Sequence, residues 1–239
     1  MKYIYGPLKS RRLGKSLGIT LTPYKICSFN CVYCQLGKTI NTTSQRREYI
    51  PIQEIINELK PWFTNNPEEA KNLNYITLSG SGEPTLNIRI GQLILEIKKI
   101  TPVPVAVITN ASLLNEALVR EALSCADLII PSLDAAAPAI FTKVDRPKEG
   151  INLEDIINGL IVLRKEFKGK IWLEVMLVKG INDDLAHARK LKDIMLKINP
   201  DKIQLNSPVR TTAEDNILAV DKKRLEKFKE ILGDKCEII

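Results

Sequence analysis

Three of the chain's five cysteines, Cys27, Cys31 and Cys34, fall within the stretch YKICSFNCVYCQLGK at residues 24–38. Thiolates are soft metal ligands, and offsets of four and then three residues let one short loop wrap a single centre. Two kinds of centre compete. A structural zinc site closes its tetrahedron with four Cys or His ligands. The loop supplies three, leaving Cys125, Cys236 and the only histidine, His187, in reserve. An iron–sulfur cube is satisfied differently, with three thiolates on three irons and the fourth iron open to a non-protein ligand. Spacing alone leaves both open.

The reserve residues do not read as ligands. Cys125, in SCADLII, adjoins an apolar run and is expected to be a small buried hydrophobe. Cys236 has no partner at metal spacing, and His187 sits among polar neighbours in DDLAHARKLKD, as a surface helix residue would. Five cysteines without a secretory leader do not suggest a disulfide framework.

The elements that must position the thiols alternate along the chain. Strands are expected at 16–23, 74–80, 103–110, 126–134, 170–180 and 201–208, each rich in branched or large apolar residues, as in parallel sheet buried on both faces. Between them lie helical stripes: Ile52, Ile55, Ile56, Leu59; Ile90, Leu93, Ile94, Ile97; Ile156, Ile157, Leu160, Ile161; and Leu185, Ala188, Leu191, Met195, Ile198. The segment PAIFTKVDRPKEG reads as a loop before its helix. Right-handed βα crossovers curl six such units into a full or partial barrel, and no linker divides residues 1–239, so one α/β domain is expected.

Polar residues collect where the strands end: SGSGEPT after the second, TNAS after the third, SLDA after the fourth, LNSPVR after the sixth. In a parallel barrel these ends share one rim with the cysteine loop, and active sites are built there. This convergence favours a cluster with a bound substrate.

Charge is uneven. The net charge is +7, yet residues 1–50 alone hold nine Lys or Arg against Glu48. The excess either frames an electropositive mouth for an anion such as RNA or is a solvated face, and its scatter fits the second. The N-terminus lacks the apolar core of a signal peptide and no apolar run approaches a membrane span, so no membrane association and a cytoplasmic location are expected.

CSFNCVYC resembles the CxxxCxΦC signature of the radical S-adenosylmethionine (SAM) superfamily, with Tyr33 in the aromatic position, and SGSGEPTL is similar to its GGEP element, with Ser81 replacing the first glycine. The resemblance covers nearly the whole chain and implies a partial (β/α)6 TIM-like barrel. It implies that Cys27, Cys31 and Cys34 ligate a [4Fe–4S] cluster whose open iron is chelated by SAM. One electron then cleaves SAM to a 5′-deoxyadenosyl radical that abstracts hydrogen from substrate. Ser81, Gly82, Glu83 and Pro84 would bring backbone near the cofactor, Glu83 accepting from its ammonium or bracing the turn. Tyr33 would lie against the adenine through its backbone, Ser132 and Asp134 would suit ribose or the methionyl end, and Asn110 and Asn206 would add polar contacts. Ordinary capping roles compete for these last four.

Within the superfamily, SLDAAAPAIFTKVDRP (132–147) is similar to the branch containing the wyosine-base synthases that modify tRNA, and YGPLKSRRLGKSLGI to short proteins of a sister branch. A second cysteine set is lacking, so one cluster and an external flavodoxin- or ferredoxin-like reductant are expected. Should RNA bind, Arg11, Arg12, Arg46 and Arg47 are the candidate phosphate contacts, while Arg146 and Arg210 would reach into the barrel mouth. Three functions stand: a radical SAM enzyme acting on RNA or another anion, a glycyl-radical activating enzyme, and a metal-stabilised binding or electron-transfer module.

Overall fold

Short apolar strands alternating with amphipathic helices have one economical packing, a curled sheet with helices on its outer face. The computed structural model describes residues 1–239 and holds this arrangement. Its strands are β1 (Ile4–Ser10), β2 (Gly14–Thr20), β3 (Tyr75–Ser79), β4 (Val105–Thr109), β5 (Leu128–Pro131), β6 (Lys170–Met176), β7 (Lys202–Asn206) and β8 (Cys236–Ile238). They lie side by side in chain order. β1 and β2 form an antiparallel hairpin, and every later neighbouring pair is parallel. The result is the partial (β/α) barrel that the alternation predicts.

The helices are α1 (Ile52–Asn65), α2 (Pro67–Lys71), α3 (Ile90–Ile100), α4 (Ala117–Leu123), α5 (Pro138–Val144), α6 (Leu153–Glu166), α7 (Leu185–Ile198) and α8 (Lys222–Leu232). The expected stripes of α1 and α3 are wholly buried; in α6, Ile156 and Leu160 are buried while Ile157 and Ile161 are half-buried. Side-chain caps start three of them: Asn152 accepts from Asp155 N–H, Asp184 from Ala186 N–H and Asp221 from Arg224 N–H. Strand side chains alternate, so Ile76 and Leu78 pack outward under the helices while Tyr75, Thr77 and Ser79 face the barrel interior. A small apolar cluster of Leu13, Ala106, Leu128 and Ile130, packed with Tyr75 and Trp172, fills the interior away from the rim. No helix is long and apolar enough to cross a membrane.

Four expectations need correction. The six strands are present as β2 to β7, somewhat shorter than expected, but β1 and β8 extend the sheet at its two edges. Gly6 and Pro7 mask β1 in the sequence; its register shifts between Tyr5 and Leu8, a break an edge strand tolerates. Residues 138–144 form helix α5 rather than loop, with Pro138 at its first turn, where a missing N–H costs nothing. His187 is buried, 3% exposed, because it starts the row 187, 191, 195, 198 on the inner face of α7 despite its polar neighbours. Cys125 is half-buried against the core, and Cys236 is the buried start of β8.

Candidate active site

The cysteine loop runs from the end of β2 toward α1 and is held from two sides. On one side it pairs with the turn after α5. Asn30 N–H donates to the carbonyls of Asp145 and Arg146, both at 3.1 Å, Val32 N–H to Val144 at 3.0 Å, and Lys148 N–H to Ser28 at 2.9 Å. The rings of Phe29 and Phe141 meet edge to face at 5.5 Å. The segment ending in Asp145-Arg146-Pro147 is thus a dock for the thiols. On the other side, Lys25 N–H donates to Ser81 O at 2.6 Å and Glu83 N–H to Ile26 O at 3.0 Å. A Cβ at Gly82 would stand 1.9 Å from the Ile26 carbonyl oxygen and 2.7 Å from Thr22 Oγ1. Glycine is needed there because backbone of the loop occupies the side-chain space.

Glu83 is the brace beneath this contact. It is 2% exposed. Oε1 accepts from Thr85 N–H at 3.0 Å, Thr85 Oγ1 at 2.6 Å and Thr109 Oγ1 at 2.7 Å, while Oε2 accepts from Asn110 N–H at 2.7 Å. Burial raises its pKa, and these hydrogen bonds oppose the rise. Of its two expected roles the structure carries the bracing one. Pro84 is buried in the 3-10 turn Pro84–Leu86 that Glu83 caps.

A cavity of about 380 Å³ opens beside the loop. It brings together Cys27, Cys34, Tyr33, Ser81, Gly82 and Asn206, and runs inward along β2 as far as Ser16. The other expected site residues lie behind it. Asn110 donates to Ser28 Oγ at 2.9 Å and points its amide at Cys27 Sγ, 3.6 Å away. Asn110, Ser132 and Asp134 line a separate niche of about 10 Å³, room for one water, which Tyr33 also lines. Asp134 is committed to protein groups, accepting from the Tyr33 hydroxyl and from Met176 N–H, the latter at 2.7 Å. Burial pushes its pKa up to about 7. It therefore orients Tyr33 rather than offering a free carboxylate to the cavity.

The thiols form one electrostatic group. Burial, then the neighbouring Glu83 carboxylate, pushes Cys27 up to about 12, and burial followed by Asp145 raises Cys31, with Cys27 and Cys34 adding to the rise. Raised in this way, the Cys27 and Cys31 thiols keep their protons at neutral pH, so binding a cluster there must displace them. Donors already point at sulfur: Lys25 Nζ lies 3.2 Å from Cys34 Sγ and Phe29 N–H 3.5 Å from Cys27 Sγ. No group of three or more His, Cys, Asp or Glu side chains, the three thiols included, is drawn together closely enough to hold a metal ion. The reserve ligands of a zinc tetrahedron are elsewhere. Cys125 precedes β5 and Cys236 pairs with Ile203 near the start of β7, at the rim opposite the thiols, while His187 Nε2 faces the Asp134 carbonyl at 3.5 Å. Three thiols on one loop, with N–H donors aimed at Cys27 and Cys34 and no fourth Cys or His nearby, fit an iron–sulfur cluster better than a four-ligand zinc site.

The arginines named as candidate phosphate contacts are spread over the site: Arg11, exposed, and Arg12, half-buried, both line the cavity. Arg12 forms an ion pair with the buried Glu174 of β6. Arg46 Nε donates to Thr85 O at 3.0 Å, and Arg47 lies over the Tyr49 ring at 4.5 Å. Arg146 pairs with Glu214, whereas Arg210 lines the cavity and donates to Gln35 Oε1 at 2.8 Å. Lys25, whose backbone sits at φ 61° and whose ammonium reaches Cys34, is legible in the sequence only as a basic residue beside the cysteines. Asp145, 3.6 Å from Cys31 Sγ, carries no sequence signal beyond its turn.

Comparison with known proteins gives three findings. The family model described as Radical SAM superfamily matches residues 21–191. A Brachyspira hyodysenteriae protein named GTPase Obg is 45% identical over 237 residues, which is 99% of this chain and 34% of that protein. The chain thus spans about a third of that relative's length, and it carries no Gly-x-x-x-x-Gly-Lys-Ser/Thr phosphate loop of its own. Among solved structures, a radical SAM methyltransferase from Sphaerobacter thermophilus superposes with a TM-score of 0.73 at 16% identity, covering 94% of this chain and 65% of that one. TYW1 with a lysine–pyruvate adduct bound gives a TM-score of 0.67 at 19% identity, covering 92% and 74%. Likeness at this identity concerns the fold, and it does not set the wyosine branch apart from others.

Proposed function

The chain belongs to the radical SAM superfamily, and from that premise we propose a one-domain enzyme over residues 1–239 in which Cys27, Cys31 and Cys34 hold a [4Fe–4S] cluster beside bound SAM. When bound, the pair supplies reductive cleavage of SAM to a 5′-deoxyadenosyl radical, which takes hydrogen from an anionic substrate. The observation that carries this reading is the meeting of the thiol loop and the Ser81-Gly82 backbone on one cavity, with Gly82 fitted against Ile26 O.

The chain's own residues have separable tasks. Lys25 Nζ and Phe29 N–H donate toward sulfur, offsetting thiolate charge and protecting it from proton return. Ser81 and Gly82 present backbone to the cavity next to Cys27, where the polar end of SAM would dock. Tyr33, held by Asp134, closes the wall, while Asn110 and Ser132 support it from the niche behind. Asn206 supplies an amide at the far wall. The cavity lining holds Lys9, Arg11, Arg12, Lys25 and Arg210 and no Asp or Glu, so the substrate is taken as an anion and not specifically as tRNA. Electrons come from an external one-electron reductant of the flavodoxin or ferredoxin kind.

Anaerobic reconstitution with iron and sulfide tests the reading. Reduced, loaded protein mixed with SAM is expected to release 5′-deoxyadenosine; a loaded cluster that leaves SAM intact would refute it. Cys31→Ala is expected to abolish intact cluster assembly and 5′-deoxyadenosine release while keeping cooperative unfolding. Collapse of the fold in that variant would instead indicate a structural metal.

A further inference from the structure

The segment between β7 and α8 leaves the barrel and returns close to where it left. Ser207, just past β7, is buried, and its Oγ accepts from Val220 N–H at 2.8 Å. Beside this closure Ala219 bridges Val178, and Lys179 N–H donates to Leu218 O at 3.1 Å. Ile217 is half-buried against the core. Both ends of the segment are therefore fixed, as in an Ω-loop. The stretch between them is not. Every residue from Pro208 to Asn216 is half-buried or exposed. No backbone N–H or C=O in that stretch bonds to another segment; Glu214 O accepts only from Ile217 N–H and Thr212 Oγ1, both within the loop. No ladder or helix would have to break for residues 208–216 to lift.

Side chains alone hold the middle down. Arg210 donates to Gln35 Oε1 at 2.8 Å, and Glu214 pairs with Lys38 at 3.2 Å and with Arg146 at 2.5 Å. Ion pairs this exposed are individually weak, because water competes for both charges. Their partners share one location. Gln35 and Lys38 follow Cys34 on the thiol loop, and Arg146 lies in the turn on which that loop docks. Pro208, Val209, Arg210 and Thr211 line the same cavity as Cys27 and Cys34.

We infer that residues 208–216 are a flap over this cavity, fixed at Ser207 and at Ile217–Val220, and that Glu214 latches it to the thiol loop and its dock. The inference rests on the proposed SAM site and adds its gate. The flap lifts to admit SAM or substrate, and it latches when the thiol loop is seated, since Gln35 and Lys38 belong to that loop. Closure keeps water from the radical step.

The test uses oxidised, reconstituted protein, in which SAM binds without being cleaved. Association of SAM is followed after rapid mixing, and its dissociation by displacement with S-adenosylhomocysteine. Glu214→Gln removes both ion pairs and keeps the side-chain shape. Both rates are expected to rise together, by about three- to tenfold for two exposed pairs, so that Kd moves less than either rate. Lys38→Gln removes one pair and should act in the same direction by a smaller factor; it decides the matter if Glu214→Gln fails to fold. Limited trypsin cleavage after Arg210 gives a second reading. It should be faster in Glu214→Gln than in the parent, and slower in cluster-loaded than in cluster-free protein. Unchanged rates in both variants would overturn the proposal. So would faster dissociation alone, the mark of a lost SAM contact, or cleavage after Arg210 that ignores cluster loading. Protein that loads a cluster and binds no SAM would fail the radical SAM reading, while the cleavage comparison would still decide the flap.

Discussion

Gly82 and the carbonyl of Ile26 lie so close that a Cβ on residue 82 would sit 1.9 Å from that oxygen. Glu83 N–H donates to the same oxygen at 3.0 Å, so the contact joins the end of β3 to the thiol loop at one point. The neighbour is backbone, held in turn by Lys25 N–H on Ser81 O, and cannot swing aside as a side chain would. The glycine is a joint between two halves of the site.

Gly82→Ala is expected to push the loop off this joint and to lower stability by about 1–3 kcal/mol, the range for overpacking. Denaturant midpoints measure the loss. Iron and sulfide content after reconstitution should fall with it, since Cys27 follows Ile26 directly. An alanine variant of unchanged stability and full cluster content would show that the loop is not seated against residue 82.

Glu83→Gln tests the brace. The carboxylate accepts at both oxygens, and an amide can accept at only one. Its NH2 group must then face either Asn110 N–H or the Thr85 donors. The expected cost is about 1–3 kcal/mol, that of a buried donor left without a partner. A glutamine variant as stable as the parent would mean that the four bonds are not all made in solution.

His187 supplies a pH dependence. Burial lowers its pKa from 6.5, and its bond to the Asp134 carbonyl only partly opposes that. Below pH 6.5 the unfolded chain binds a proton that the folded chain refuses, so this residue's contribution to stability is complete above 6.5 and is lost as pH falls toward the folded value. The difference in urea midpoint between the parent and His187→Met should rise with pH up to that point and then level off. A difference that declines with rising pH would reverse the sign and exclude a buried neutral imidazole.

Much of the site is written in local sequence pattern. Cys27, Cys31, Cys34 and the Ser81-Gly82 turn are such patterns, with spacing set over a few residues by the backbone itself. The strands β2 to β7 and the stripes of α1 and α3 are legible for the same reason, because periodicity of 2 or 3.6 is a local consequence of burial on one face. That the strand ends share a rim with the thiols follows from the strands being parallel, as the βα alternation implies.

Other facts depend on segments that meet only in the folded barrel. Arg12 looks like surface charge until the hairpin carries it across the seam to the buried Glu174. Asp134 looks like a free carboxylate until Tyr33, a hundred-odd positions earlier, claims it. His187 looks solvated until α7 turns it toward the Asp134 carbonyl. Sequence determined which residues can do chemistry and which elements carry them, because those depend on side-chain type and local period. Tertiary structure decided which charges and buried polar groups find partners, because that depends on distances between strands, which no local pattern encodes.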